Sequence, residues 1–386
     1  MSNPEQSRAL NRRQFLGRIS GGAIGTSLGL ALTGEGAPAT PSTSQLEKRN
    51  EQPGMTYRPL GRTNLNVSRL SFGTNRLSDD RLAVLEMAVE RGVNLIHISR
   101  SYGRGRAMAA LGKFLKKPGI RDKVWIALKG EHARGLPESI DDQLRVLNTD
   151  HVDIICSPLL KPDQVRTQER ERERFEVLKE AGKVRFLNLT THTTLQPVME
   201  AGLDAGWFDV ILSVIDMSNA GQFQPTIERA NKLNVGIMAM KTARGGEKDH
   251  EKIARAVFAA GATLILKSLT TPQEVDAWVG AVTKVAQEPS ALARDYQLAA
   301  AGVCTLCGIC EQCPNGVAIQ DIVRDYTYYY QEQGLREIAA ERYAELRPSE
   351  TFPSCRDCGR CEERCPMRVP VRRIIREAHE KLAASA

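Results

Sequence analysis

Residues 184–189 read Val-Arg-Phe-Leu-Asn-Leu, residues 210–214 Val-Ile-Leu-Ser-Val and residues 236–240 Gly-Ile-Met-Ala-Met. Each run is short and largely apolar, and about twenty residues of amphipathic composition separate it from the next. Short apolar runs alternating with helical stretches are strands buried on both faces and joined by crossover helices. The pattern extends in both directions, with candidate strands at Val67–Phe72, Leu95–Ile98, Val124–Leu128, Val152–Cys156 and Leu264–Leu266. Eight such strands between Met55 and about Lys284 predict a parallel α/β fold of the (β/α)8 TIM barrel type. A doubly wound sheet is the alternative, weakened because no Gly-x-Gly-x-x-Gly follows the first strand.

The rest of the chain frames this region. Of 386 residues 41% are hydrophobic and 26% charged, with a net charge of +7, which suits a globular protein and excludes disordered and collagen-like classes. The charges alternate, as in Arg170, Glu171, Arg172, Glu173 and Arg174, so that stretch reads as a solvated helix face and no nucleic-acid partner is expected. Residues 1–39 combine Arg12, Arg13, Phe15 and Leu16 with a glycine-rich apolar stretch and an Ala37-Pro38-Ala39 end. They resemble a twin-arginine export signal, which implies a periplasmic or otherwise exported protein. The apolar stretch is too short and too rich in glycine to span a membrane stably, so membrane contact is expected only through this segment. Residues 40–54 read as a linker.

Eight of the nine cysteines fall in two tight runs, and Cys156 stands alone at the end of a strand, where a buried inert thiol is expected. The runs are Cys304, Cys307, Cys310, Cys313 and Cys355, Cys358, Cys361, Cys365, each followed by proline. The second matches the C-x2-C-x2-C-x3-C-P run of bacterial ferredoxins. Three thiolates at this spacing wrap one cube-shaped cluster, so two 4Fe-4S clusters are expected in a small α-helical ferredoxin-like domain spanning 291–386. The resemblance implies that the last cysteine of each run serves the other cluster: Cys304, Cys307, Cys310 and Cys365 would hold one, and Cys355, Cys358, Cys361 and Cys313 the other. The first run departs from the pattern, with two residues instead of three before its last cysteine. Structural zinc prefers separate C-x2-C pairs to unbroken runs of four, and disulfides do not form easily at such spacing. Between the runs, Ile319–Ala344 reads as helical, and its Tyr326, Tyr328, Tyr329 and Tyr330 read as packing residues.

The order of local motifs over residues 55–290 resembles the aldo-keto reductases. The carriers are Tyr57-Arg58-Pro59-Leu60-Gly61-Arg62-Thr63, then Phe72-Gly73-Thr74, Gly92-Val93-Asn94-Leu95-Ile96, Tyr102-Gly103, Lys129, Asp150-His151-Val152-Asp153-Ile154 and Gly182-Lys183-Val184-Arg185. The cysteine-rich tail resembles the iron-sulfur branch of that family. In the family a nicotinamide hydride reaches a carbonyl carbon while a tyrosine protonates the oxygen, tuned by a lysine that an aspartate supports; a histidine orients the carbonyl. The resemblance implies Tyr102 as acid-base and Lys129 as its partner, because a phenol of pKa about 10 needs a nearby ammonium to work near neutrality. It also shows two changes, His97 at the aspartate position and Pro158 at the histidine position. His192, just past the fifth strand, is a candidate replacement. Lys241, Arg244, Gly245, Lys267 and Ser268 stand where such barrels bind phosphate, which admits NADP(H). The family's Glu-Asn pair toward the adenosine end appears as Ala277 and Trp278.

Two functions remain in view. One is an oxidoreductase passing electrons between a small-molecule substrate and the clusters, with a redox protein as a further partner. The other is a silent barrel that acts as scaffold for an electron-transfer module.

Overall fold

The computed structural model describes residues 46–385 apart from 131–135, 160, 167–168, 245–246, 289–301, 303, 305–309, 311–312 and 366. The signal segment 1–39, Gly245 and Cys307 therefore lie outside the described residues. A short antiparallel hairpin, β1 (Tyr57–Pro59) and β2 (Asn66–Ser68), precedes the barrel. Eight parallel strands then close on themselves in chain order: β3 (Leu70–Gly73), β4 (Leu95–Ser99), β5 (Trp125–Lys129), β6 (Ile154–Pro158), β7 (Phe186–Thr190), β8 (Val210–Val214), β9 (Gly236–Met240) and β10 (Leu264–Lys267). The expected (β/α)8 barrel is present.

The apolar runs become strands because both faces are covered, by lumen side chains inside and helices outside. Nearly every strand residue is accordingly buried. The candidate strand Val67–Phe72 divides in two: Asn66–Ser68 belongs to the hairpin, and Leu70 begins the barrel. The division falls at Arg69, whose buried guanidinium donates to the carbonyls of Ala262 and Thr263. The hairpin plugs the N-terminal end of the barrel with Leu60. Close packing there requires Gly236, since a Cβ at that position would lie 2.6 Å from Leu60 Cδ1.

Beyond the barrel comes a helical module with its own apolar core, built around Ile319, Ile322, Tyr343, Ile375 and Leu382. The expected continuous helix from Ile319 to Ala344 is instead three pieces: an α-helix over Ile319–Arg324, a wide π-helical stretch over Asp325–Glu332, and an α-helix over Arg336–Ala344. Gly334, at φ 64°, makes the turn between the last two. The π-helical stretch carries the four tyrosines. Residues 44–386 form one compact unit.

The module sits on the C-terminal face of the barrel, where the loops after the strands gather. Arg76, past β3, donates to the carbonyl of Gln333 (2.8 Å). Arg104, past β4, pairs with Glu341. The amide of Thr194, past β7, donates to Gln320 Oε1 (2.9 Å). Lys241 and Arg244, past β9, complete the seam.

Candidate active site

The barrel places its reactive groups by register. Ser99 pairs with Lys129, Lys129 with Cys156 and Cys156 with Asn188, so four neighbouring strands bring side chains to one level at the C-terminal rim. His97 lies two residues below Ser99 and so shares its face. It is buried, and its Nε2 has no hydrogen-bond partner among the described residues. Burial, assisted by the charge of Lys129, lowers its pKa to about 3, so His97 is neutral at physiological pH.

Lys129 is buried, and its pKa falls to about 7, first through loss of hydration and then through the charge of Arg342. Its Nζ lies 3.2 Å from His192 Nε2. The expected tyrosine-lysine pairing is therefore not the hydrogen bond formed; Lys129 meets His192, the residue that sequence reasoning offered as a stand-in for the missing histidine. The Tyr102 ring lies 6.2 Å from that of His97, and burial raises its phenol above the ordinary range, with Tyr329 of the module contributing. Tyr102, His97, Lys129 and His192 thus share one neighbourhood. Cys156 is fully buried, accepts from Asn188 Nδ2 at 3.2 Å, and burial pushes its thiol up to about 12, consistent with an inert packing role.

Of the residues expected to receive phosphate, Lys241 and Arg244 are engaged by the chain's own module. The Nζ of Lys241 lies 4.5 Å from the ring centroid of Tyr328 and 4.7 Å from that of Tyr329. It is shielded from solvent and makes no hydrogen bond among the described residues. Burial and the charges of Arg324, Arg342 and Arg244 hold its pKa well below the usual lysine range. Arg244 is buried, pairs with the fully buried Asp216 at 3.0 Å, and donates its other arm to the carbonyl of Cys304. Lys267 lies 5.4 Å from the ring of Trp278, which is buried and stacked on His250 at 4.4 Å. Ser268 donates to Asn75. Lys241 and Arg244 therefore face the chain's own module, and Trp278 fills the space beside Lys267. The tyrosine run gave no hint of this in the sequence, because a tyrosine that packs and one that covers a cationic pocket read alike.

A buried ionic cluster lies under the tyrosines. Asp325 takes Arg324 Nε and Arg342 Nε on the same oxygen, each at 2.9 Å. Burial alone would raise its pKa, but the two guanidiniums hold it below the carboxylate range.

The cysteines of the two runs meet. Cys310 and Cys313 of the first and Cys355, Cys358 and Cys361 of the second line one pocket, whose walls include Val317, Ile319 and Ile375. The Sγ atoms of Cys355 and Cys365 each face a backbone N–H at 3.4 Å, from Asp357 and Val369, an arrangement suited to thiolates. No disulfide joins the described cysteines. Cys304 packs against both the barrel core and the module core. A donor set of soft thiolates ringing a void with apolar walls fits an iron-sulfur cluster.

Fold and site together define an eight-stranded α/β barrel whose C-terminal mouth is covered by a cysteine-rich helical module. The chain belongs to the aldo/keto reductase family, whose profile matches residues 69–301. A 4Fe-4S dicluster domain matches residues 303–369, so the module is an iron-sulfur domain. Among curated relatives, the aldo-keto reductase YhdN of Bacillus subtilis is 26% identical over 163 residues, 37% of this chain and 49% of the relative. The chain thus spans about half the length of that relative. Two solved structures from Pseudomonas aeruginosa, described as aldo-keto reductases, share the fold. One has a TM-score of 0.53 and 23% identity over 63% of this chain and all of that one; the other has 0.52 and 24% over 60% and 95%.

Proposed function

We propose that this protein is an iron-sulfur oxidoreductase that passes electrons between a small molecule at the barrel mouth and two 4Fe-4S clusters, one on Cys304, Cys307, Cys310 and Cys365, the other on Cys313, Cys355, Cys358 and Cys361. The observation that carries this reading is the seam at Arg244, which joins Asp216 in the barrel to the backbone of Cys304 in the module. A group held by Cys304 would stand beside the barrel mouth. Cys313, Cys355, Cys358 and Cys361 line one pocket together with Cys310, and the crossed assignment among them rests on the ferredoxin resemblance.

The same seam supports a route without a diffusible nucleotide. Lys241 and Arg244 are occupied by Tyr328, Tyr329, Asp216 and Cys304, and Trp278 and His250 fill the far end. Reduction of a carbonyl to an alcohol takes two electrons, which two one-electron centres supply when bound, and two protons. The protons come from this chain's residues. Lys129, with a pKa of about 7 and His192 against it, takes a proton from solvent and releases it near neutral pH, once for each electron delivered, which accounts for both protons. Tyr102, held protonated by burial, donates a hydrogen bond to an oxygen in the mouth. His97, neutral throughout, contributes no charge of its own. The reading extends to location: the twin-arginine-like segment directs a folded, cofactor-loaded protein out of the cytoplasm and so away from the cytosolic pool of free NADP(H).

Anaerobic purification followed by iron, acid-labile sulfide and nucleotide analysis of one sample tests it. About eight irons per chain and no nicotinamide nucleotide, with none taken up on titration, are expected. Stoichiometric NADP(H) would overturn the nucleotide-free route. Cluster-loaded protein that turns over no carbonyl or alcohol would leave the barrel as a scaffold.

A further inference from the structure

The cysteines of the module differ in exposure. Cys304 packs against both the barrel core and the module core, whereas Cys358 is exposed, as no other described cysteine is. A centre held by Cys358 therefore has an edge at the molecular surface.

The surface around that edge is strongly basic. Between Pro353 and Arg376 the chain carries seven arginines and three carboxylates. Two of the three, Asp357 and Glu362, are taken up by Arg372, at 3.3 and 2.8 Å. Arg360 and Arg364 join Arg372 in the wall of the cysteine pocket, where guanidiniums answer the charge of thiolates. Arg356, Arg368 and Arg376 stand outside that wall, are exposed, and make no ion pair among the described residues. The helix Val371–Leu382 runs along the segment 352–357: its Arg372 bonds Asp357, and Arg376, one turn on, lies over the ring of Phe352 at 5.6 Å. Arg376 is thereby held against the segment that carries Arg356 and leads into Cys358. Unpaired like charges repel one another, so their concentration beside the exposed thiol disfavours the compact state and attracts an anionic surface.

We infer that this arginine face docks an acidic protein that exchanges single electrons with the centre at Cys358. Complementary charge steers the encounter and fixes its orientation, which sets the partner's redox group against the exposed edge. A nucleic acid fits less well, because the segment 353–376 holds no aromatic side chain on which a base could stack. The inference deepens the oxidoreductase reading and rests on it for the use of the electron; docking itself needs no turnover and is tested separately.

Cytochrome c, a basic haem protein, and its succinylated form, in which carboxylates replace the lysine charges, serve as probes of one size and opposite sign. Both, oxidised, are titrated calorimetrically into the full-length, cluster-loaded protein at low ionic strength. Saturable binding of the succinylated form alone is expected, lost at high salt and weakened at least about tenfold in the double variant Arg356→Glu/Arg376→Glu. Lys232→Glu, a reversal at the N-terminal end of the barrel where the helix Ala220–Lys232 leads into β9, should leave binding unchanged. The salt series on the wild-type protein stands whether or not the double variant keeps its clusters. Absence of saturable binding, equal binding of the two forms, or an affinity indifferent to the arginines overturns the inference, as does tighter, arginine-dependent binding of a short DNA duplex.

Reduction of each ferric haem by dithionite-reduced, desalted protein is followed in parallel; one electron passes and the haem becomes ferrous, with no bond or proton moved. The succinylated form should be reduced the faster at low salt, and the double variant should slow it while speeding the native form. A change in the same direction for both would assign the arginines to the cluster potential and overturn their docking role in electron transfer. Arginine-dependent binding without haem reduction keeps the docking surface and sinks the oxidoreductase reading.

Discussion

Replacing Lys129 by methionine isolates the energetic cost of placing an amine inside the barrel. In the unfolded chain its pKa is near 10.5, and in the folded protein about 7. The folded state therefore binds fewer protons between these values, and folding stability must rise with pH across that window. Below pH 7 the full penalty is present; above pH 10.5 it is gone. At pH 7 the difference amounts to about 4 kcal/mol, and at pH 9 to about 2 kcal/mol, from 1.36 kcal/mol per unit of pKa. Methionine matches the length and removes the titration, at the cost of the bond to His192, about 1 kcal/mol. Anaerobic urea unfolding of wild type and Lys129→Met at pH 7 and pH 9 reads the effect. Other lysines and thiols titrate in both proteins and cancel in the difference. The variant should be the more stable at pH 7, and its advantage should shrink by about 2 kcal/mol at pH 9. Parallel behaviour of the two proteins across this range would refute the assignment of a depressed pKa to Lys129, and with it the proton-loading role.

Three further outcomes bear on the site. Arg244→Met leaves Asp216 buried without its partner, so it should lose about 3–5 kcal/mol and loosen the seam, seen as faster amide exchange around Val317–Arg324 with cluster absorbance retained; unchanged exchange would separate the seam from module docking. Tyr102→Phe should sharply lower carbonyl turnover at unaltered iron content, and undiminished turnover would remove Tyr102 from the carbonyl site. Cys313→Ser should disturb the same paramagnetic signal as Cys358→Ser, since both line one pocket; disturbance of a signal shared with Cys304→Ser instead would reverse the crossed ligation.

The barrel was legible in the sequence because its determinants are local. A strand buried on both faces must be apolar throughout, and runs such as Val210–Val214 announce it without reference to any neighbour. Boundaries moved where a tertiary contact intervened, as at Arg69, whose guanidinium finds carbonyls almost two hundred residues away. The cysteine runs were legible for a similar reason: chelation of one cluster by consecutive thiolates is a matter of short spacing. The catalytic neighbourhood was legible only in part. Tyr102, Lys129 and His97 could be named from local motifs, but whether Lys129 turns to Tyr102 or to His192 depends on which side chains share a level of the barrel, and register is a property of the closed sheet.

What only the tertiary structure decided is the meaning of the tyrosines and of the cations past β9. Lys241 and Arg244 read as a phosphate site because the sequence does not record that another part of the same chain returns to cover them. Tyr328 and Tyr329 read as packing because cation-π contact is fixed by approach in space, over a separation of nearly ninety residues. Sequence alone determined the barrel, the cysteine runs and the residue types at the mouth. Docking of the module onto that mouth, which joins the two and sets the pKa values within, came from long-range packing and desolvation, and neither leaves a local trace.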